Sequence, residues 1–388
     1  MQRAIYAASM DPITKGHINV IERALNLFDE VIVGIGVNPD KKYTFTLEER
    51  ESLARQALAG FENRITVKSF PGLLSDFAYE NGISTIIRGA RNSADFDFER
   101  LLKDINQGFR QGVETLIYIA DQNLSHISSS AAKELAKNQA DNLLEYVPLI
   151  VKRALERRVA KQYFVGITGE IGCGKSFIAE TLCNYFNNFC KEDQHALGIN
   201  KMHNIDLDSI GHEVLEKAPE HVYENARLEI ATRFGKYLLK KDGMIDTPSL
   251  GKTIFGDPDA MKNFNRVMRG PMSLLLRRRL MSLKGIVLIN SALIAEENLS
   301  SMVNNDVIVV TATKEIQEER LRDRGYSNEV IRQRLSLQLS TDKKIEILKE
   351  NQQKDHQGKI IVWDNSVTKH IGGLCHKLLK EIIDYGVL

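Results

Sequence analysis

The stretch Gly169-Glu170-Ile171-Gly172-Cys173-Gly174-Lys175-Ser176 constrains this chain more than any other. Its spacing is G-x-x-x-x-G-K-S. The apolar, partly β-branched run Tyr163 to Thr168 precedes it, and Phe177 to Leu182 follow at helical spacing. Strand, glycine loop and helix start are the setting in which backbone N–H groups turn inward around phosphate oxygens. Glycine permits those turns, and the helix N-terminus adds partial positive charge. The pattern predicts ATP bound over Gly169, Gly172 and Gly174, with Lys175 on the β/γ phosphates and the Ser176 hydroxyl ligating Mg²⁺. A glycine-rich turn with an incidental lysine is the competing reading.

A chain of 388 residues, 43% hydrophobic and 27% charged, is long enough for two globular domains with a core each. A net charge of +1 offers no electrostatic basis for binding nucleic acid or a membrane surface. Cys173, Cys183, Cys190 and Cys375 contain no C-x-x-C pair, which points to reduced thiols rather than a disulfide framework or zinc site. The first residues meet Asp11 too soon for a signal-peptide core, and no apolar run spans a membrane. The expectation is a cytoplasmic protein acting on small molecules.

In the first half, Arg3 to Ala7 reads as a strand and Ala8 to His17 as a loop broken by Pro12 and Gly16. Ile18, Ile21, Leu25 and Phe28 predict a helix from about residue 17. Val31 to Gly36 is the next strand, and Thr46 with Glu49 forms a capping box opening a helix through Leu58. Further strands are expected at Ser84 to Ile87 and Thr115 to Ile119. This alternation predicts an α/β fold with an open parallel sheet, whose ligands bind at the carboxyl ends of the strands. Thr14, His17, Lys41, Arg88, Arg91 and the run Ser128-Ser129-Ser130 all follow strand ends or start helices. A histidine beside a helix N-terminus is poorly placed for positive charge, so His17 is expected neutral. Taken singly, Lys41 also suits a solvated turn, Arg91 a surface ion pair and the serines helix caps.

Together these pieces resemble a known pattern. Thr14-x-Gly16-His17 matches the nucleotidyltransferase signature T/H-x-G-H. Ser9 to His17, Phe45 to Arg50, Ile87 to Arg91, Asp95-Phe96-x-x-Glu99 with Asn106, and Ile127 to Ser130 resemble bacterial phosphopantetheine adenylyltransferase over about residues 2–160. The resemblance implies a Rossmann-like domain transferring AMP from ATP to the phosphate of 4′-phosphopantetheine. It implies ATP contacts from Ser9, Met10, Thr14, His17, Gly89, Arg91, Glu99, Ser128, Ser129 and Ser130. It implies acceptor contacts from Ser9, Lys41, Leu73, Leu74, Arg88 and Asn106, with His17, Lys41 and Arg91 catalytic. It also implies Mg²⁺ and a homo-oligomer formed through the first domain. Where the family has Pro-Gly, this chain has Ala7-Ala8. If that glycine needs positive φ or close ligand approach, Ala8 should tighten the loop.

Asn142 to Val159 reads as a helix closing a first domain at 1–160, with Pro148 marking a bend within it or its real start. The second domain, 161–388, continues past the phosphate loop to Asn204-Ile205-Asp206-Leu207-Asp208-Ser209. Carboxylates two apart on a strand project to one side and can share Mg²⁺ binding and acceptance of a hydroxyl proton. A helix cap by Asp208 or Ser209 is the alternative. Strands at Ile286 to Asn290, Asp306 to Thr311 and Lys359 to Trp363 complete a P-loop kinase sheet of about five strands. Arg320, Arg322, Arg324, Arg332 and Arg334 surround Gly325, which suits a lid closing on ATP. Glu315, Glu318, Glu319 and Asp323 would instead make this a solvated, ion-paired face.

Ile205 to His212, Lys241 to Ile245, Ile254-Phe255-Gly256 and Asp364-Asn365-Ser366 resemble dephospho-CoA kinase over about residues 163–388. The resemblance implies Asp208 as base for a ribose hydroxyl with Asp206 beside it, on the acceptor and, with Ser176, on the metal. It implies catalytic Lys175 and Arg324, lid arginines Arg324 and Arg334, and Asn365 near adenine. Departures are Ala292-Leu293-Ile294-Ala295-Glu296, Gly270-Pro271 and, beside Gly325, the missing aspartate that often follows the first lid arginine. The first activity makes the substrate of the second, which implies a bifunctional enzyme for the last two steps of coenzyme A synthesis. The alternatives are one active half with a regulatory partner, a kinase for another acceptor, or a nucleotide-dependent switch.

Overall fold

The strand β1 (Arg3–Ala8) is buried at Ala4, Ile5, Tyr6 and Ala7, so it needs strands on both sides and cover on both faces. It pairs in parallel with β2 (Glu30–Gly36) and β4 (Thr85–Ala90). Outside these lie β3 (Ile65–Phe70) and β5 (Glu114–Ile119), in the order β3-β2-β1-β4-β5. The helices are α1 (Lys15–Ala24), α2 (Leu47–Ala57), α3 (Leu74–Glu80), α4 (Ser93–Gly108), α5 (Ser129–Lys137), α6 (Leu143–Tyr146) and α7 (Leu149–Leu155). One core packs Ile21, Leu53 and Val151 against Tyr6 and Val33; the other packs Phe70, Ala78 and Ile83 against Ile5 and Ile32.

This computed structural model describes all residues except 1, 39, 62, 109–111, 255, 256, 337, 368, 369 and 384–388, and the side chains of 258, 333, 334 and 336. Residues 1–160 and 161–387 form two compact units.

The first sheet has one strand more than the sequence reading gave. Thr66, Lys68 and Ser69 break the apolar run of β3, which stays regular because it lies at the sheet edge and pairs on one side only. The strand β4 runs three residues past Ile87, since Arg88, Gly89 and Ala90 continue the ladder with Ile117, Tyr118 and Ile119 of β5. The capping box at Thr46 and Glu49 forms in both directions, at 3.2 Å and 2.8 Å. Pro148 starts α7 at its N-cap, where a missing N–H is no loss, so residues 142–159 are two helices and a π-turn rather than one helix.

The second unit repeats the plan. Its central strand β6 (Gln162–Thr168) pairs in parallel with β8 (Gly285–Asn290) and β9 (Val307–Thr311). With β7 (Met202–Asp206) and β10 (Ile360–Asp364) the order is β10-β9-β6-β8-β7. Its helices are α8 (Lys175–Phe189), α9 (Lys191–Leu197), α10 (Leu207–Glu216), α11 (His221–Phe234), α12 (Thr247–Ile254), α13 (Pro258–Met281), α14 (Lys314–Asp323), α15 (Asn328–Ser336), α16 (Thr341–Asp355) and α17 (Ile371–Lys377). Gly270-Pro271 lies inside α13. No helix among the described residues is long and apolar enough to cross a membrane.

Gly285 opens β8 at φ +104°, and a Cβ there would stand 2.1 Å from the Lys201 carbonyl oxygen. Gly285→Ala should destabilise the second unit by about 2 kcal/mol or more. The single tryptophan, Trp363, lies on β10, so its fluorescence in urea reads that unit's unfolding and the midpoint should fall.

Candidate active sites

At the carboxyl end of the first sheet, Thr14 caps α1 with His17 as its third residue. The Thr14 N–H donates to His17 Nδ1 at 2.9 Å, and the His17 N–H donates to Thr14 Oγ1 at 3.4 Å. Because Nδ1 accepts a backbone proton, the ring proton of the neutral imidazole lies on Nε2. Burial, helped by the nearby Arg91 guanidinium, brings the His17 pKa down to about 4. The neutral donor expected from the helix start is present.

Side chains hold the loops around it. The buried Asp11 carboxylate accepts the Thr44 N–H at 3.0 Å, the Phe45 N–H at 2.9 Å and Lys133 Nζ at 2.9 Å. Burial would raise its pKa, but the Thr44, Lys133 and Phe45 hydrogen bonds outweigh that and hold it below the usual carboxylate range. The buried Arg50 donates from Nη1 to the Ser9 carbonyl at 2.6 Å and the Gly36 carbonyl at 3.0 Å, with its guanidinium 4.0 Å from the Tyr43 ring centroid. Lys41 reaches across to Ser9, with Nζ 3.4 Å from Oγ. Arg88 points from within β4, gives Glu99 two bonds at 2.6 Å and 2.7 Å, and donates to the Ala7 carbonyl at 2.8 Å. Arg91 lies just past the strand, paired with Asp95 at 2.8 Å. Ser128 caps α5, Ser129 donates to the Pro12 carbonyl at 2.8 Å, and Ser130 is exposed. Met10 is buried at φ +42°, in the left-handed region, whereas Ala8 is not in that region, so its Cβ strains no backbone there.

In the second unit the glycines fit their loop: Gly169, Gly172 and Gly174 have φ of +151°, +80° and +93°. Lys175 Nζ donates to the Gly169 and Glu170 carbonyls, each at 3.1 Å. The Ser176 hydroxyl lies 3.5 Å from Asp206 Oδ2, and Asn290 Nδ2 donates to both groups at 3.2 Å. β7 ends at Asp206, which caps α10 by accepting the Ser209 N–H at 3.1 Å. Asp208 belongs to the first turn of α10, so the two carboxylates meet at a strand-to-helix junction and not on one strand face. The cap is Asp206 rather than Asp208 or Ser209. Removal from water raises the Asp208 pKa, Asp206 repulsion adds to it, and Lys175 and His212 oppose.

The arginines divide. Arg320 donates to the Cys173 carbonyl at 3.0 Å and the Asn365 carbonyl at 2.9 Å, while Asn365 Nδ2 donates to the Cys173 carbonyl at 2.9 Å. Arg322 pairs with Glu318 at 2.8 Å, as the ion-paired alternative expected. Arg324 ends α14 before Gly325 at φ +83°, exposed and without a partner among the described residues. Arg332 is exposed, and the Arg334 side chain lies outside the described residues, as do Phe255 and Gly256. Glu296, kept within the departing run after β8, pairs with the fully buried Lys344, whose Nζ also donates to the Ala292 carbonyl at 2.8 Å. Burial lowers the Lys344 pKa against the pull of Glu296.

Known proteins match both units. The family described as Cytidylyltransferase-like matches residues 5–135. A phosphopantetheine adenylyltransferase of Shouchella clausii is 43% identical over 156 residues, covering 40% of this chain and 97% of that relative. The chain belongs to the phosphopantetheine adenylyltransferase family. A second such relative, from Staphylococcus carnosus, is 42% identical over 159 residues, covering 41% of this chain and 98% of its own. The family described as Dephospho-CoA kinase matches residues 163–355, so one chain joins an adenylyltransferase domain to a kinase domain. A solved dephospho-CoA kinase from Campylobacter jejuni covers 57% of this chain and 98% of its own, at 22% identity and a TM-score of 0.31.

Within the adenylyltransferase unit Ser9, Met10, Thr14 and Lys41 lie on loops, His17 and Ser129 in the first turns of α1 and α5, and Arg88 near the end of β4. Gly89 sits on β4, where a Cβ would meet Val20 at 3.2 Å. Both Glu99 oxygens are taken by Arg88, so Glu99 orients that guanidinium. Leu73 precedes α3 and is exposed, Leu74 packs on the second core, and Asn106 is half-buried on α4. Sequence reasoning assigned no role to Asp11, Arg50, Lys133, Asn290, Lys344 or Glu170. Asp11, Arg50 and Glu170 lay inside quoted motifs, a usable signal; Lys133, Asn290 and Lys344 stand at positions that only long-range packing makes important.

Because the His17 pKa is lowered, the native state binds fewer protons than the unfolded chain between about pH 4 and 6.5. This residue therefore costs stability as pH falls through that window and nothing above it. Nitrogen-15 spectra should show Nε2 protonated and Nδ1 bare from pH 8 to about 5, with no titration near 6.5.

Proposed function

We propose that this chain carries out the last two steps of coenzyme A synthesis with two separate sites. The first joins AMP from ATP to the 4′-phosphate of phosphopantetheine, releasing diphosphate. The second phosphorylates the resulting dephospho-CoA on its ribose 3′-hydroxyl with another ATP. The observation that carries this reading is the pairing itself: each unit presents its own phosphate-facing loop, and the product named by one family is the substrate named by the other.

In the adenylyltransferase the attacking group is the acceptor's own phosphate, so no protein nucleophile is needed. Catalysis reduces to alignment and stabilisation of charge on the α-phosphate. His17 donates Nε2–H to a phosphate oxygen without titrating. Lys41, held near Ser9, neutralises the approach of the two phosphates. Arg88, fixed by Glu99 and the Ala7 carbonyl, binds the acceptor, and Arg91 with the α5 start binds the β/γ phosphates.

In the kinase, Lys175 exchanges the loop's own carbonyls for phosphate oxygens. Asp208, with its raised pKa, is the better of the two carboxylates to take the hydroxyl proton. Arg324, without a partner among the described residues, is available to the transferring phosphoryl. Ser176 and Asp206 offer hard oxygen donors, with Asn290 holding them together, and fit Mg²⁺, which binds through few protein ligands beside phosphates. When bound, the ion supplies charge neutralisation at the phosphates.

Mass spectrometry of purified protein with Mg²⁺-ATP should detect CoA from either 4′-phosphopantetheine or added dephospho-CoA. His17→Ala and Lys41→Ala should lower dephospho-CoA formation by about 10² or more and spare its phosphorylation. Asp208→Asn should do the reverse, with a loss of about 10²–10⁴. Loss of both reactions from either change in folded protein would overturn the two-site reading. The kinase kcat should also fall on acidification from a pH above the ordinary aspartate range, because Asp208 must be ionised.

A further inference from the structure

A carboxylate one residue into a phosphate loop is an awkward choice for anion binding, since it repels the ligand unless it is engaged elsewhere. Glu170 is so engaged. Its Oε1 accepts the Thr341 N–H at 2.6 Å and the Thr341 hydroxyl at 2.9 Å, and its Oε2 accepts Gln317 Nε2 at 3.3 Å. Thr341 is the first residue of α16, so its N–H has no partner within the helix. Gln317 is buried on α14, one turn before Arg320 and two turns before Arg324. The next loop residue adds a second tie: the Ile171 N–H donates to Gln338 Oε1 at 2.8 Å. Gly172 then lies so close to Gln317 that a Cβ would stand 2.8 Å from its carbonyl oxygen.

The two anchors bracket the arginines. Gln317 lies on the entering side of Arg324, and Gln338 and Thr341 on the leaving side. On the inner side of the loop, Lys175 donates to the Glu170 carbonyl. One residue therefore joins the phosphate-binding lysine to both ends of the arginine-bearing segment.

We propose that Glu170 is a positioning residue for the phosphoryl transfer: it fastens Gln317 and Thr341 to the phosphate loop and thereby sets the reach of Arg324 to a bound triphosphate. Glu170 acts through these neighbours and not on the reacting atoms. This inference rests on the kinase reading of the second unit.

Glu170→Ala removes the clasp, while Glu170→Gln keeps an oxygen for Thr341. Its new amide can bond the Gln317 side-chain oxygen, which is buried and unpartnered in the native chain. Hydrogen exchange on the full chain reads the clasp directly at the Thr341 amide, whose acceptor among the described residues is Glu170 Oε1, and indirectly at the Ile171 amide, whose acceptor Gln338 lies on the segment that the clasp holds. Both should exchange at least tenfold faster in Glu170→Ala and return toward the native rate in Glu170→Gln. With dephospho-CoA and Mg²⁺-ATP, Glu170→Ala should lower kcat about tenfold with a smaller change in KM for ATP, since phosphate binding keeps Lys175 and the glycine loop. Adenylyl transfer by the first unit should be unchanged, and a native-like Trp363 fluorescence transition in urea certifies that the second unit is folded. Native exchange rates in Glu170→Ala, or faster exchange with native kcat, would overturn the proposal. If the unsubstituted chain does not phosphorylate dephospho-CoA, the kinase reading fails on its own, and the exchange rates still decide whether Glu170 holds the clasp.

Discussion

A loop that must offer its backbone N–H groups to an anion cannot use those groups to hold itself in place. Ordinary loops are pinned by turns and ladders that consume donors; a phosphate-facing loop has to be pinned from outside. In both units the pins are charged or amide side chains, most of whose hydrogen bonds go to backbone. Asp11 accepts two amides from the β2–α2 connection and a lysine from α5. Arg50 ties the ends of β1 and β2 together through the Ser9 and Gly36 carbonyls. Arg320 and Asn365 converge on the Cys173 carbonyl in the kinase loop, from α14 and from the end of β10. A charged group with several good partners is costly to leave unpaired, so each pin is also a strong constraint.

The two sites reach the same end by different local chemistry. Both sheets place their central strand between neighbours that run outward in opposite directions, and both sites sit where the loops diverge. On the proposed reading the adenylyltransferase relies on a helix start, the neutral imidazole of His17 and the cations of Lys41, Arg88 and Arg91. Its acceptor already bears the nucleophile, so positioning suffices. On the proposed reading the kinase must take a proton from a hydroxyl as well, and Asp208 would supply a carboxylate kept more basic by desolvation and by the neighbouring Asp206.

Much of this was legible before the fold was known. The G-x-x-x-x-G-K-S loop and the Thr46–Glu49 box are local patterns that formed as read, whereas Thr14 to His17, read as loop, is the cap and first turn of α1, because Thr14 and His17 cap each other. The edge strand β3 was missed because polar residues interrupt its run, and it is secured by pairing with β2 rather than by its own pattern. Arg88 was read as lying beyond its strand because the apolar residues stop at Ile87, while the ladder with β5 carries on regardless of side-chain polarity. The Asp206–Asp208 geometry was misread because a strand can pass into a helix without an intervening loop, which periodicity over so few residues does not reveal.

What the sequence determined alone is the inventory: two alternating α/β patterns, one phosphate loop, one nucleotidyltransferase segment, and the residue types able to bind phosphates and move a proton. Such features depend on neighbours within a few positions, where backbone geometry fixes what meets what. Only the tertiary structure decided which charges are available for ligand and which are committed to the protein. Arg320 and Arg324 lie one helical turn apart, yet the first is bound to the phosphate loop and the second is exposed. Glu296 proves to be the partner of a buried lysine 48 residues away along the chain. Those assignments depend on distance through space and loss of water, and neither quantity is written in the order of the residues.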